Sequence, residues 1–215
     1  MNVRTGLGED ARAYLSFMRH ELHTPINAII GYSEMLLEDA GAGAPDALVA
    51  DLRQIVGAGA HALSLVGSLL AASPLPPAAA PRDVAELGDH LQRQLQPSVA
   101  VIIGCCDRWL ALPADDMPMR DDFAKIREAA RRLLALAGEL SARADAAPPA
   151  AEAVTPPAPE AAPAGAGGYL LVVDDVDANR DLLARRLQRD GYATAQAADG
   201  RQALAMIAAR APDLV

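Results

Sequence analysis

The stretch FMRHELHTPINAIIGYSEMLLED, residues 17–39, sets a histidine next to a glutamate inside an otherwise helical pattern. His20 lies two positions from each of the apolar residues Met18 and Leu22, which corresponds to about 200° around a helix. We therefore expect the imidazole to face solvent. Glu21 can accept a hydrogen bond from the imidazole or take up its proton, which leaves a neutral ring nitrogen free as a nucleophile.

The turn that follows the histidine carries a threonine and a proline. Thr24 comes four residues after His20 and so lies one turn away on the same helix face. Pro25 has no amide hydrogen, so the Glu21 carbonyl loses its helical donor and is pushed by the proline ring. The sequence therefore predicts a kink in the turn that holds the histidine. For a lone histidine, an ordinary surface residue beside an accidental proline is the alternative.

A second candidate for chemistry is an acidic pair near the other end of the chain. Asp174 and Asp175 directly follow the apolar run YLLVV. Open α/β sheets bind ligands at the carboxyl ends of their strands, and Mg²⁺ prefers oxygen ligands. The pair is weak evidence alone, because acids commonly follow strands.

Two helical patterns precede the first proline-rich segment, and both have apolar residues at three-four spacing. The first carries Leu15, Met18, Leu22, Ile26, Ile29 and Leu36, and the second carries Leu52, Ile55, Ala62, Val66 and Leu69. A short loop joins them, so residues 10–72 should form an antiparallel helical hairpin. One hairpin leaves its apolar face uncovered.

The following segment repeats the hairpin pattern. Residues 91–110 align with 18–37 at an offset of 73, and residues 122–141 align with 51–70 at an offset of 71. The two offsets favour an internal duplication, so that residues 83–145 form a second hairpin and complete a four-helix bundle. The alternative is chance, since two Ala- and Leu-rich hairpins share apolar spacing.

Two proline- and alanine-rich segments, 73–82 and 146–168, are predicted to be connectors. If extended, the longer one would reach on the order of 70 Å. Residues 169–215 then read as strand, helix, strand and helix, and PDLV begins a third strand, which favours a parallel α/β sheet that this sequence only begins.

Composition restricts the function classes. The net charge is −9 with dispersed arginines, which argues against a nucleic-acid partner. No apolar run approaches the roughly 20 residues that span a bilayer, and no signal-peptide core begins the chain, so we expect a cytoplasmic protein without membrane contact. The adjacent Cys105 and Cys106 should be reduced thiols on a helix. His61 and His90 have no partner group at useful spacing and are expected to be plain surface residues.

The H-E-L-x-T-P run at residues 20–25 and the Ile-Gly-Tyr at 30–32 closely resemble the H-box of the dimerisation and histidine-phosphotransfer (HisKA-type) domain of bacterial sensor histidine kinases. The resemblance implies that His20 accepts a phosphoryl group, that Glu21 assists proton removal and that Thr24 helps to place a hydrolytic water.

Two departures from this family pattern affect what can be carried over. His23 replaces the usual Arg or Lys, which puts one phosphate or carboxylate contact in doubt. In the second hairpin Arg93 takes the position of His20, and Gln94 takes that of Glu21, so that copy cannot carry phosphate. The family builds its bundle from two chains, and we expect an intramolecular pseudo-dimer here rather than a homodimer.

The run from Val172 to Leu204 is similar to the start of response-regulator receiver domains, which have a flavodoxin-like fold. This implies Mg²⁺ on Asp174 and Asp175, while the family's phosphoacceptor aspartate would lie beyond Val215. The 215 residues contain no DxGxG, paired-asparagine box or glycine-rich ATP lid such as histidine kinases carry. We therefore expect no autophosphorylation by this chain alone.

Together these features predict a mostly α-helical two-component phosphorelay protein, with a tandem hairpin four-helix bundle followed by a truncated receiver domain. Its partners would be a receiver domain and a partner histidine kinase, and the phosphoryl group would come from the separate kinase or from a phosphorylated receiver. The alternative is a non-catalytic dimerisation or signal-transmission module that controls an effector.

Overall fold

The computed structural model describes residues 4–41, 44–71, 81–113, 119–142 and 168–215. They belong to two compact units, one that contains four long helices and one that contains a small sheet. The helices of the first unit are α1 (Arg4–Ala40), α2 (Asp46–Ala71), α3 (Pro81–Leu110) and α4 (Arg120–Ala142). Most of the described chain is helical, as the composition predicts.

Each helix of the first unit packs against two others. α1 contacts α2 and α4, and α3 contacts the same two helices from the other side, so one chain closes a four-helix bundle. Several apolar positions that the two sequence offsets match are buried in both hairpins. Examples are the pairs Leu22 and Leu95, Ile29 and Ile102, and Ile55 and Ile126, all 0% exposed.

Contacts between the hairpins follow the same offsets. The Cys105 sulfur in α3 lies 3.7 Å from Oε1 of Gln54 in α2. At the matching positions, Nζ of Lys125 in α4 lies 5.0 Å from the ring centroid of Tyr32 in α1. These two contacts, one between α2 and α3 and one between α1 and α4, therefore join positions that the two offsets relate.

The predicted core positions are buried with one exception. In α2, Leu69 is only half-buried, and Leu70 is the buried residue at this turn. The predicted connectors lie almost entirely outside the described residues. α3 begins at Pro81, inside the segment predicted as the first connector, because proline is well suited to the first helical position, where no amide donor is needed.

The second unit contains β1 (Tyr169–Val173), α5 (Asp177–Arg189), β2 (Ala193–Ala197) and α6 (Gly200–Ala209). β1 and β2 are parallel, with Leu171 opposite Ala195. The predicted third strand is represented by one parallel bridge, in which the Leu171 amide donates to the Leu214 carbonyl at 2.9 Å. A two-stranded sheet agrees with a parallel α/β arrangement, while its assignment to a receiver domain stays a prediction.

None of the described helices combines the length and the apolar character that a membrane crossing requires.

Candidate functional site around His20

The side chain of His20 is exposed on α1, whereas Met18 and Leu22 on either side of it are 2% and 0% exposed. This is the outward orientation that the helical spacing predicts. α1 continues through Pro25, which is buried inside the helix, as far as Ala40. The proline therefore does not end the helix, and the kink stays a prediction.

Thr24 is connected to the histidine through the backbone. Its hydroxyl donates to the His20 carbonyl at 3.4 Å, a bond between residues four apart in the helix. A hydroxyl that donates its one hydrogen still has two lone pairs, with which it can accept a hydrogen bond from water. The geometry is therefore compatible with holding a water molecule on the histidine face of α1. Glu21, the neighbouring acid, is half-buried.

His23 lies one turn after His20 in different surroundings. It is half-buried, and its Nε2 atom is buried with no hydrogen-bond partner among the described residues. Burial lowers the pKa of His23 below its usual value of 6.5, and the positive charge of Arg19 and the electrostatic influence of His20 lower it further. At neutral pH His23 is therefore uncharged, unlike the Arg or Lys that the HisKA pattern has there.

An exposed aromatic residue adjoins the candidate site and was not singled out from the sequence. Phe17 comes three residues before His20, so the two lie on neighbouring parts of one helix face. Its side chain is 46% exposed, and the only other large hydrophobic residue exposed among the described residues of the bundle is Leu112. The sequence contained a signal for this exposure, since Phe17 directly precedes Met18 and does not share the three-four spacing of the core positions.

The counterpart of the site in the second hairpin has no imidazole. Arg93 is exposed, and its Nε donates to the Asp89 carbonyl at 3.1 Å. The expectation that His61 has no partner is wrong, because its Nδ1 lies 3.0 Å from the hydroxyl of Ser98. That contact joins α2 to α3, so spacing along either helix could not reveal it.

A buried carboxylate between α2 and α3 is a second feature that sequence reasoning missed. Asp51 is 5% exposed. Its oxygens accept hydrogen bonds from Nη1 of Arg108 at 3.0 Å and from the indole of Trp109 at 2.8 Å. Asp51 lies four residues before the core residue Ile55, so its helical phase could have indicated burial.

The two cysteines on α3 are free and buried, as expected for reduced thiols on a helix. The pKa of Cys105 is raised by burial and by the neighbouring Asp51 carboxylate. Burial also raises the pKa of Cys106 to about 12. Both groups are protonated at neutral pH and are poor nucleophiles.

In the second unit, Asp174 and Asp175 follow the last residue of β1 directly. One carboxylate oxygen of Asp174 accepts a hydrogen bond from the Val176 amide at 2.7 Å, while Asp175 is exposed. The buried Arg180 donates to the Asp174 carbonyl at 2.8 Å. Two carboxylates suit Mg²⁺ in donor chemistry. Across the described ranges, no three His, Cys, Asp or Glu side chains come together as a set of metal ligands would.

Comparison with known proteins identifies the first hairpin. Residues 11–76 match the family model described as the His Kinase A (phospho-acceptor) domain. No curated protein and no solved structure matches the chain. The matched range contains α1 from residue 11 onward and all of α2, and it includes the exposed His20. Residues 11–76 are thus a HisKA phospho-acceptor and dimerisation domain, and this implies a part in two-component histidine phosphotransfer signalling.

Proposed function

We propose that this chain is a phosphorelay component in which His20 accepts a phosphoryl group and exchanges it with an aspartate of a receiver domain. The observation that carries the proposal is the exposure of His20 on α1 within the matched phospho-acceptor domain. An exposed nucleophile needs no cavity of its own when the donor group arrives on another protein.

The transfer itself needs a free ring nitrogen and a way to handle one proton. The imidazole nitrogen attacks phosphorus, and the bond between phosphorus and the aspartyl oxygen breaks with its electron pair on oxygen. The proton on the other ring nitrogen then becomes more acidic, and Glu21 is the neighbouring group that can accept it. Thr24 would hold the water that later hydrolyses the phosphohistidine.

We further propose that residues 169–215 are the beginning of a receiver domain. β2 lies on one side of β1 and Leu214 on the other, an order that fits the flavodoxin-like arrangement. Asp174 and Asp175 at the carboxyl end of β1 would hold Mg²⁺. When bound, that ion would neutralise charge on the phosphoryl group.

The second hairpin is proposed to replace the second subunit of a HisKA dimer. Arg93 and Gln94 remove the acceptor and its neighbouring acid, so the bundle would carry one phosphoacceptor instead of two. Receiver docking would then occur with one receiver for each chain.

Phosphoryl transfer from a phosphorylated receiver or an active partner kinase tests the proposal. The wild-type chain should acquire a label that is acid-labile, because phosphohistidine is acid-labile, and His20→Ala should acquire none. His90→Ala is the matched control, because His90 is also an exposed helical histidine, and it should be labelled like the wild type.

The second candidate is a non-catalytic module that only transmits conformation. It is favoured by the altered second hairpin, in which Arg93 replaces the acceptor. Full labelling of His20→Ala, or failure of every phosphorylated partner to label the wild type, would favour this function over phosphotransfer.

A further inference from the structure

The buried Asp51 forms a polar link between the two hairpins. It lies on α2, and its two hydrogen-bond donors, the guanidinium of Arg108 and the indole of Trp109, lie on α3. The sulfur of Cys105 on the same helix is 3.9 Å from the carboxylate. Asp51 therefore obtains its partners from the other hairpin.

The equivalent acid in the second hairpin has a different source of positive charge. The offset of 71 relates Asp51 to Asp122 on α4. Asp122 lies 4.0 Å from Lys125, a residue of its own helix. The residue of α2 that corresponds to Lys125 is Gln54, which is neutral, so Asp51 has no such cation one turn along its own helix.

A symmetric pair of two first hairpins would give Asp51 different neighbours. The offset of 73 relates Arg108 and Trp109 to Met35 and Leu36 of α1. In such a pair each Asp51 would therefore face these two apolar side chains of the other copy. Tyr32, which corresponds to Cys105, could offer one phenol hydrogen but no positive charge.

We propose that Asp51 determines which partner the first hairpin accepts: it favours the second hairpin and disfavours a second copy of the first. A buried carboxylate that loses its guanidinium is strongly destabilising, because desolvation is no longer compensated. In a pair of two second hairpins, Arg108 of the other copy would stabilise Asp122 less, since Asp122 already has Lys125 nearby. Replacing pairs of one first and one second hairpin with symmetric pairs is therefore unfavourable.

This inference goes beyond the proposed phosphotransfer and can fail or hold separately from it. It concerns only the unphosphorylated chain and its assembly. Labelling of His20 could be absent while the assembly result is as expected, and the reverse is equally possible.

Sedimentation equilibrium of the full chain tests the inference. The competing internal pairing acts at an effective concentration of roughly 1 mM, so the measurements should extend to about that concentration. The wild type should remain a monomer. Asp51→Leu removes the buried charge and places an apolar side chain against Met35 and Leu36 in a symmetric pair. We expect its dimer association constant to exceed the wild-type value by on the order of 10²-fold or more.

Asp122→Leu is the matched control, since it makes the same change at the equivalent position and retains Asp51. It should remain as monomeric as the wild type. Circular dichroism establishes that each variant is folded, and Asp51→Asn, which keeps the size of the side chain, replaces Asp51→Leu if the latter does not fold.

Three results would overturn the inference. One is a folded Asp51 variant that stays monomeric over the whole concentration range. Another is equal dimerisation of the Asp51 and Asp122 variants, which would indicate exchange of hairpins between chains without selection by Asp51. The third is a wild-type chain that itself dimerises as strongly as Asp51→Leu.

Discussion

His20 and His23 show how strongly the position of a residue on one helix affects the surroundings of its side chain. They are three positions apart, yet His20 is exposed and His23 is half-buried with a buried, unpartnered nitrogen in the described structure. The first can meet a partner protein, while the second is held neutral by burial and by nearby positive charge. The HisKA pattern usually has a permanent cation at the second position, and this chain has replaced it with a titratable group.

The lowered pKa of His23 predicts a pH dependence of stability. The unfolded chain binds a proton at His23 near pH 6.5, whereas the folded chain binds it only at lower pH. Stability from this group is therefore fully present above about pH 6.5 and decreases as pH falls towards the folded-state pKa. Thermal unfolding of the bundle should show a melting temperature that falls on acidification through this range.

His23→Gln is the variant that isolates this effect, since its amide does not titrate near neutrality. Other groups, carboxylates among them, also titrate as the pH falls, so the informative quantity is the difference between the two proteins. The melting temperature of His23→Gln should fall less than that of the wild type. Parallel curves for the two proteins would contradict the assignment of a lowered pKa to His23.

At the scale of helices, the core could be predicted from the sequence, but the contacts between helices could not. Three-four spacing identified buried positions such as Leu22 and Ile55, because burial of a helix face is a local periodic property. The contacts of Asp51 and His61 depend on which helix lies opposite each of them. Leu69 was misassigned because two adjacent leucines end α2, and spacing alone does not choose between them.

At Gly88, α3 lies close to the backbone of α4. A Cβ atom built there would lie 2.7 Å from the carbonyl carbon of Leu140 and would also meet the backbone nitrogen of Ser141. Backbone atoms cannot rotate away as a side chain can, so the two helices would have to separate. Gly88→Ala should therefore reduce the free energy of unfolding by about 1–3 kcal/mol in chemical denaturation.

Gly104→Ala provides the matched control on the same helix. Nothing lies within 4 Å of a Cβ atom built at Gly104. Alanine is the better helix former, so this change should stabilise the bundle by up to about 1 kcal/mol. If both substitutions changed the free energy of unfolding in the same direction, the close packing at Gly88 would not have the destabilising effect expected here.

At the scale of the whole chain, the two units differ in how much large apolar surface they bury. The bundle encloses leucine and isoleucine side chains from all four helices, together with the aromatic rings of Tyr32 and Phe123. The buried core cluster of the second unit is Leu171 and three alanines, and the larger side chains that pack against it, Tyr169, Met206 and Ile207, are only partly buried. Three leucines of the second unit, Leu183, Leu204 and Leu214, are 50%, 70% and 64% exposed. Small buried side chains remove little area from water, so this unit gains less hydrophobic stabilisation.

The sequence predicted the order and type of these elements because apolar runs and glycine stops are local signals. Which of the apolar side chains become buried is not a local signal, since burial depends on which of them find a partner in another element. Leu183 and Leu204 adjoin the buried Ala184 and Ala203 in the chain and yet remain largely exposed in the described structure.

Hydrogen exchange of the full chain should therefore separate the two units. The Leu171 amide donates to Leu214 at 2.9 Å at the edge of the small sheet, whereas Leu22 lies in α1 with its side chain fully buried in the bundle. Exchange of an amide requires local or global opening, and opening is easier where fewer apolar contacts are lost. We expect the amides of residues 170–173 to exchange on the order of 10²-fold faster than those around Leu22. Equal protection of both segments would mean that the second unit is stabilised by more than its own described core, and would contradict the stability difference argued from side-chain burial.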